Sequence, residues 1–225
     1  MGTQQSKSHK SKTYLIREFR TSSDLNDAYE CFVSSFYHIQ WPIIDEANSQ
    51  FIKDIILWYH HIGSKTFVAE FEGRVRGVLV GSFRPGLAAA GRALVTITKM
   101  LCHMIAGHYQ LSALAKKHLF QLFRSFLPYI YLHPHSKAET LLLISHKEYR
   151  GGIGRALMDA WIAEVRSNGI QTATVSTDSA MSWDFYERYG YRRVREFDYA
   201  AYKYSLPTKN VKGYIYLMDV SPSGR

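Results

Sequence analysis

Residues 141–165 read LLLISHKEYRGGIGRALMDAWIAEV. With Glu139 and Thr140 before it, LLLIS forms a short, nearly continuous apolar run suited to a buried strand. From Ile153 to Ser167 apolar residues recur at helical spacing, and Asn168-Gly169 supplies the stop. Between strand and helix stand Gly151, Gly152 and Gly154, bracketed by Arg150 and Arg155. Glycine is a poor helix starter, so its crowding here points to a task for the backbone. A strand running through a glycine turn into a helix bares several N–H groups where the macrodipole also favours negative charge. Without Cβ atoms in the way a pyrophosphate reaches those amides, and the two arginines add charge at the rim. The same turn also serves as an ordinary strand-to-helix connection. A dinucleotide fold asks for Gly-x-Gly-x-x-Gly, and Leu157 stands where the third glycine belongs; the Walker pattern is missing as well.

Outward from this stretch the elements alternate. Toward the C-terminus, QTATVSTD (171–178) reads as a β-branched strand and MSWDFYERYG (181–190) as a short helix. Tyr191 to Tyr199 and GYIYLMDV (213–220) are two more strands. Toward the N-terminus, TYLIREF (13–19) is a strand, and Ser22-Ser23-Asp24 offers N-cap chemistry to a helix through DLNDAYECFVSSFY. A second helix is expected from Ser49 to His61. KTFVAEFEGRVRGVLVGSF (65–83) gives two β-rich runs around Glu72-Gly73-Arg74, a hairpin. Residues 85–138 interrupt this order. Within them, QLSALAKKHLFQLFRSFL has apolar residues at 111, 114, 119, 122, 123 and 126, with Lys116, Lys117 and Arg124 off the stripe. Two helices are predicted there, bounded by Pro85-Gly86 and LPYIYLHPHS. The order β, α, α, β, β, insertion, β, α, β, α, β, β implies a mixed sheet covered by helices.

The glycine stretch, followed by TDSAMSWDFYERYGYRRV (177–194), resembles the GNAT acyltransferase superfamily, specifically over residues 139–199. Gly152-Ile153-Gly154 match the core of that family's acyl-CoA motif. Phe185-Tyr186 and Gly190-Tyr191 match its later motif. The departures are Tyr149 at the usual Gln/Arg position, with Arg150 one place late, and Ser179 and Ser182 where Asn and Ala are usual. The resemblance implies an α/β (α+β) fold: a mixed, mostly antiparallel central sheet flanked by helices, with a helical insertion before the cofactor-binding strand. It implies that Leu143, Ile144 and Ser145 splay from the neighbouring strand and pair with pantetheine amides. Arg150, Gly151, Gly152, Ile153, Gly154 and Arg155, with Ser179, would then hold the rest of acetyl-CoA. Tyr186 would protonate the departing thiolate, and Glu139 would receive the amine's proton. The implied activity is an N-acetyltransferase, moving an acetyl group from acetyl-CoA to a primary amine by direct attack in a ternary complex. A small molecule or a peptide would be the acceptor, with the enzyme a monomer or homodimer. Helix-face packing is the structural alternative for Tyr186, and a solvated strand end that for Glu139.

The totals fit one acyltransferase domain over 13–225, with residues 1–12 a tail. The chain is 225 residues long, 46% hydrophobic and 21% charged, enough apolar material for a real core. Its two cysteines fit a reducing, cytoplasmic setting. MGTQQS with Lys7 loosely matches an N-myristoylation pattern at Gly2. The ten histidines lack metal-ligand spacing, so no metal is expected, and no nucleophile elbow is present. Net charge is +9, and Arg84, Arg92, Lys99, Lys116, Lys117, Arg124 and Lys137 supply seven of it in a segment with no acid. Three readings of that segment stand: a helical lid, a wall recruiting an anionic substrate, or a face for peripheral contact with anionic membrane. No zinc module, helix-turn-helix or RNP signature marks specific nucleic-acid binding. A catalytically silent binding module using the basic segment is the alternative to an enzyme.

Overall fold

The computed structural model describes residues 13–40, 43–44, 48–83, 87–134, 136–149 and 151–221; Gly2 and Arg150 lie outside them. The sheet is built from β1 (Leu15–Glu18), β2 (Lys65–Phe71), β3 (Arg74–Phe83), β4 (Ala138–Ser145), β5 (Thr172–Asp178), β6 (Arg192–Asp198) and β7 (Lys212–Asp219). These lie in the order β1-β2-β3-β4-β5-β7-β6. Neighbours are antiparallel throughout, except for β4 and β5. The hairpin between β2 and β3 turns on two residues, Glu72 at φ 53° and Gly73 at φ 75°, the left-handed pair that suits a tight hairpin.

Alternation along the strands assigns their faces. Val68, Val78, Val80, Leu142 and Ile144 pack against α1 (Thr21–Gln40) and α2 (Ser49–Ile62), while Ala69, Leu79 and Val175 pack against α6 (Ile153–Ser167). Trp161 on α6 is fully buried, stacked on Phe83 with ring centroids 4.8 Å apart. It lies directly over Gly81, where a Cβ would come within 2.5 Å of the ring. Gly81→Ala is therefore expected to destabilise the protein by about 1–3 kcal/mol through overpacking, read as a lower urea midpoint. An unchanged midpoint would show that the ring yields freely.

The described residues between β3 and β4 hold three helices where the sequence predicts two: α3 (Leu87–Ile105), α4 (Ala113–Ser125) and α5 (Leu127–Leu132). Pro128 falls in the first turn of α5, where a missing N–H costs nothing, so LPYIYL is helical and not a boundary. Ser112 caps α4 by accepting from Ala115 N at 3.1 Å. α3 is held to α2 by His61 against Thr96 at 2.6 Å and by His103 at 3.7 Å from Asp54, whose carboxylate also takes a 2.5 Å bond from Tyr109.

Two irregularities open the centre of the sheet. β4 carries an extra residue opposite β3, since Val80 pairs with Leu142 and Gly81 with Thr140. Beyond Thr140 the ladder between β4 and β5 stops, its three pairs being Ala138–Ala173, Glu139–Thr174 and Thr140–Val175. Leu141 to Ser145 thus present one edge to β3 and leave the other without a strand partner among the described residues. β5 meanwhile continues along β7 as far as Asp178.

Candidate functional site

The wedge between β4 and β5 ends at the glycine bend. Gly151 and Gly152 have φ of 127° and 108°, values that side chains bearing a Cβ adopt only under strain. Gly152 is the N-cap of α6, and Ala156 N donates to its carbonyl at 2.9 Å. No backbone amide from Gly151 to Arg155 donates to another described residue. Those N–H groups sit at the positive end of a fifteen-residue helix. Ile153 anchors the bend: it is buried, and a Cβ on Gly77 would meet its Cγ2 at 2.4 Å, so the strand glycine lets the helix start approach the sheet.

A cleft of about 660 Å³ runs along this wedge. It gathers Leu143, Ile144 and Ser145 from the open edge of β4, Gly151, Gly152, Ile153, Gly154 and Arg155 from the bend, and Tyr186 from α7 (Asp184–Tyr189). Two expected residues are elsewhere. The Ser179 hydroxyl accepts from Lys212 N at 3.0 Å, bracing the start of β7, and lines no described cleft. Glu139 lies on the α2 face of the sheet opposite Ser82, its carboxylate 3.3 Å from His133 Nε2, and it too lines neither cleft. That contact raises the His133 pKa. Tyr149, at the position where the motif usually has Gln or Arg, turns away: its ring lies 4.2 Å from the Arg76 guanidinium, and its carbonyl accepts from Tyr14.

Several lining residues were not among those expected at the site. Phe185, Arg188 and Tyr189 share the cleft-facing side of α7, a spacing of three and four that the sequence does contain. The Phe185 ring lies where a Cβ on Gly154 would touch it at 3.4 Å. Arg155 stands 5.5 Å from the Tyr189 ring centroid at the rim, and Arg188 pairs with Asp184.

A second cavity of about 480 Å³ lies between α1, α2, the helices α3 to α5 and the sheet. The two share Phe36, Leu143, Thr177, Met181 and Tyr186. Its walls are mostly aromatic and aliphatic, with Thr140, Ser176 and Thr177 among them, and Asp178 is the one charged side chain among its described lining residues. Asp178 ends β5 and is buried. Its carboxylate accepts from Tyr202 Oη and from Ala180 N, each at 2.8 Å. Burial nevertheless pushes its pKa up to about 6. Tyr186, where the clefts meet, is also buried, with its ring against Phe185, Tyr191 and Tyr216. Desolvation raises its pKa well above that of a free phenol, so it holds its proton at neutral pH. Among the described residues no three His, Cys, Asp or Glu side chains converge as a metal site would require.

Residues 96–201 match the family model described as "Acetyltransferase (GNAT) domain". An N-acetyltransferase from Staphylococcus aureus Mu50 superposes with a TM-score of 0.54 at 17% identity, covering 93% of this chain and 99% of its own. The ribosomal-protein-S18-alanine N-acetyltransferase from Escherichia coli gives 0.52 at 14% identity, over 95% and 97%. The polyamine N-acetyltransferase of Drosophila melanogaster, described as forming N-acetylagmatine, gives 0.53 at 13%, over 92% and 100%. No curated protein matches the sequence. Residues 96–201 thus match a GNAT acetyltransferase domain, and over more than nine-tenths of its length the chain shares the fold of these acetyltransferase structures.

Proposed function

We propose that the protein transfers an acetyl group from acetyl-CoA to a primary amine borne on a large apolar body. The carrying observation is that the amide-lined cleft and the apolar cavity meet at a single phenol, Tyr186. Acetyl-CoA fits the first cleft as a substrate: a glycine bend at a helix N-terminus suits its diphosphate, and the unpaired edge of β4 suits its amide arm. Arg155 adds charge at the rim.

The acceptor enters from the other side. Asp178 takes a proton from the ammonium, the amine nitrogen attacks the thioester carbonyl, the C–S bond breaks as Tyr186 gives its O–H proton to the departing sulfur, and the proton that the new amide nitrogen then sheds restores the phenol. Asp178 suits this role better than Glu139 because it lines the cavity and Glu139 does not. A polyamine would require several carboxylates, whereas the cavity offers one acid, with Thr140, Ser176 and Thr177 beside it, amid Phe32, Phe51, Ile52, Met104 and Leu122.

A thiol-release assay over a homologous series of alkylamines and arylalkylamines tests this. kcat/KM is expected to rise by about fourfold per added methylene, from about 0.8 kcal/mol of burial each, until the cavity is full. A best substrate among polyamines or aminosugars would contradict the acceptor class. No thiol release with any amine, despite acetyl-CoA binding, would favour the catalytically silent alternative.

A further inference from the structure

We propose that the helical segment Leu87–Leu132 docks on an anionic lipid bilayer. Twelve of the fourteen large apolar side chains exposed among the described residues belong to it. On α3, Leu94, Leu101 and Ile105 share one face at helical spacing, Ile105 being 87% exposed, with exposed Arg92 and Lys99 beside them. On α4, Phe120 and Phe123 are 68% and 73% exposed between Lys116, Lys117 and Arg124, all turned to solvent. Apolar stripes this size, edged by cations, are the signature of a helix lying in a membrane interface: rings and aliphatic chains enter the acyl boundary, and lysines reach up to the phosphates.

The charge selects this occupant over the others. The segment contains no Asp or Glu, so a two-fold contact with a second copy would set its cations against each other with nothing to pair them. Nucleic acid would neutralise the cations and leave Leu94, Ile105 and Phe120 in water. A bilayer containing anionic lipid satisfies both. None of the helices is long and apolar enough to cross a membrane among the described residues, so contact is with one leaflet. Ile97, Leu101, Phe123 and Phe126 are exposed and also line the apolar cavity, so the docked face surrounds the cavity mouth. Docking does not depend on the acyl-transfer reading, because Leu94, Ile105 and Phe120 line neither cleft.

The test is co-sedimentation of the full chain with phosphatidylcholine vesicles, with and without phosphatidylserine. Binding is expected only with phosphatidylserine, weakening as salt rises. Lys116→Glu with Lys117→Glu is expected to lower the partition coefficient roughly tenfold or more. Ile105→Ser with Phe120→Ser should also weaken binding, while circular dichroism and acetyl-CoA affinity stay as in the parent. Equal recovery with both vesicle types, no recovery with either, or recovery indifferent to both double variants would overturn the proposal. So would a concentration-dependent dimer that Ile105→Ser abolishes, since the face would then belong to a second copy.

Discussion

Tyr186→Phe is expected to lower kcat by roughly 10²-fold or more while changing the dissociation constant of acetyl-CoA little. The substitution removes one oxygen from a ring otherwise held by Phe185, Tyr191 and Tyr216, so the packing of α7 against the sheet survives. The hydroxyl has no hydrogen-bond partner among the described residues, so Phe leaves no neighbour unsatisfied and the melting temperature should hold. What is lost is a donor at the junction of the two clefts, held protonated by burial. Because the phenol's pKa is raised, its ionisation should impose no fall in rate below about pH 10. Unchanged turnover in the Phe variant would remove Tyr186 from the mechanism.

Asp178→Asn is expected to lower kcat/KM by roughly 10²-fold or more and to remove the acidic limb of its pH profile. In the parent protein the rate should rise as pH passes through about 6, where the buried carboxyl loses its proton. The same shift bears on stability, with a definite sign. Burial raises the folded pKa above the ordinary aspartate value of 3.8. The neutral acid's contribution is therefore fully present below about pH 4 and is lost as pH rises through about 6. A gap of about two units corresponds to on the order of 3 kcal/mol, so the parent bears a buried anion at pH 8 that the Asn variant does not. The variant's stability deficit relative to the parent should thus shrink, or reverse, between pH 4 and 8. Melting curves across that range and a pH–rate profile check both parts. A retained acidic limb would return the base to Glu139 or to solvent. Glu139→Gln, by contrast, should leave the profile in place and chiefly release His133.

The fold was legible where local rules are strict. The glycine bend needs left-handed dihedrals at 151 and 152, the hairpin needs them at 72 and 73, and strand alternation shows in the composition of the runs. Leu143 to Ser145 and Gly151 to Arg155, which line the first cleft, were legible for the same reason, since one short stretch carries them. The acceptor side was not. Phe36, Tyr59, Leu122, Asp178 and Tyr202 meet only after the sheet, α2 and the inserted helices assemble, and no local spacing links them. Asp178 reads in sequence as an acid closing a strand before a turn, and its 2.8 Å bond from Ala180 N is indeed turn chemistry. Its burial by Tyr202 arrives from 24 residues away. Ser179 was misplaced because backbone pairing with Lys212 decides where its side chain goes, and α5 because a proline in a first turn permits a helix. In α4 the apolar period is clear, yet Phe120 and Phe123 face water: periodicity gives the stripe without saying what covers it.

The central claim, that the bare amides of the bend grip a diphosphate, is tested most directly by following backbone amide resonances of isotope-labelled protein during titration with coenzyme A. The account predicts large, saturable shifts at Gly152, Ile153, Gly154 and Arg155, reproduced in part by pyrophosphate alone. Resonances there that stay fixed while coenzyme A binds, or shifts confined to the basic helices, would contradict it.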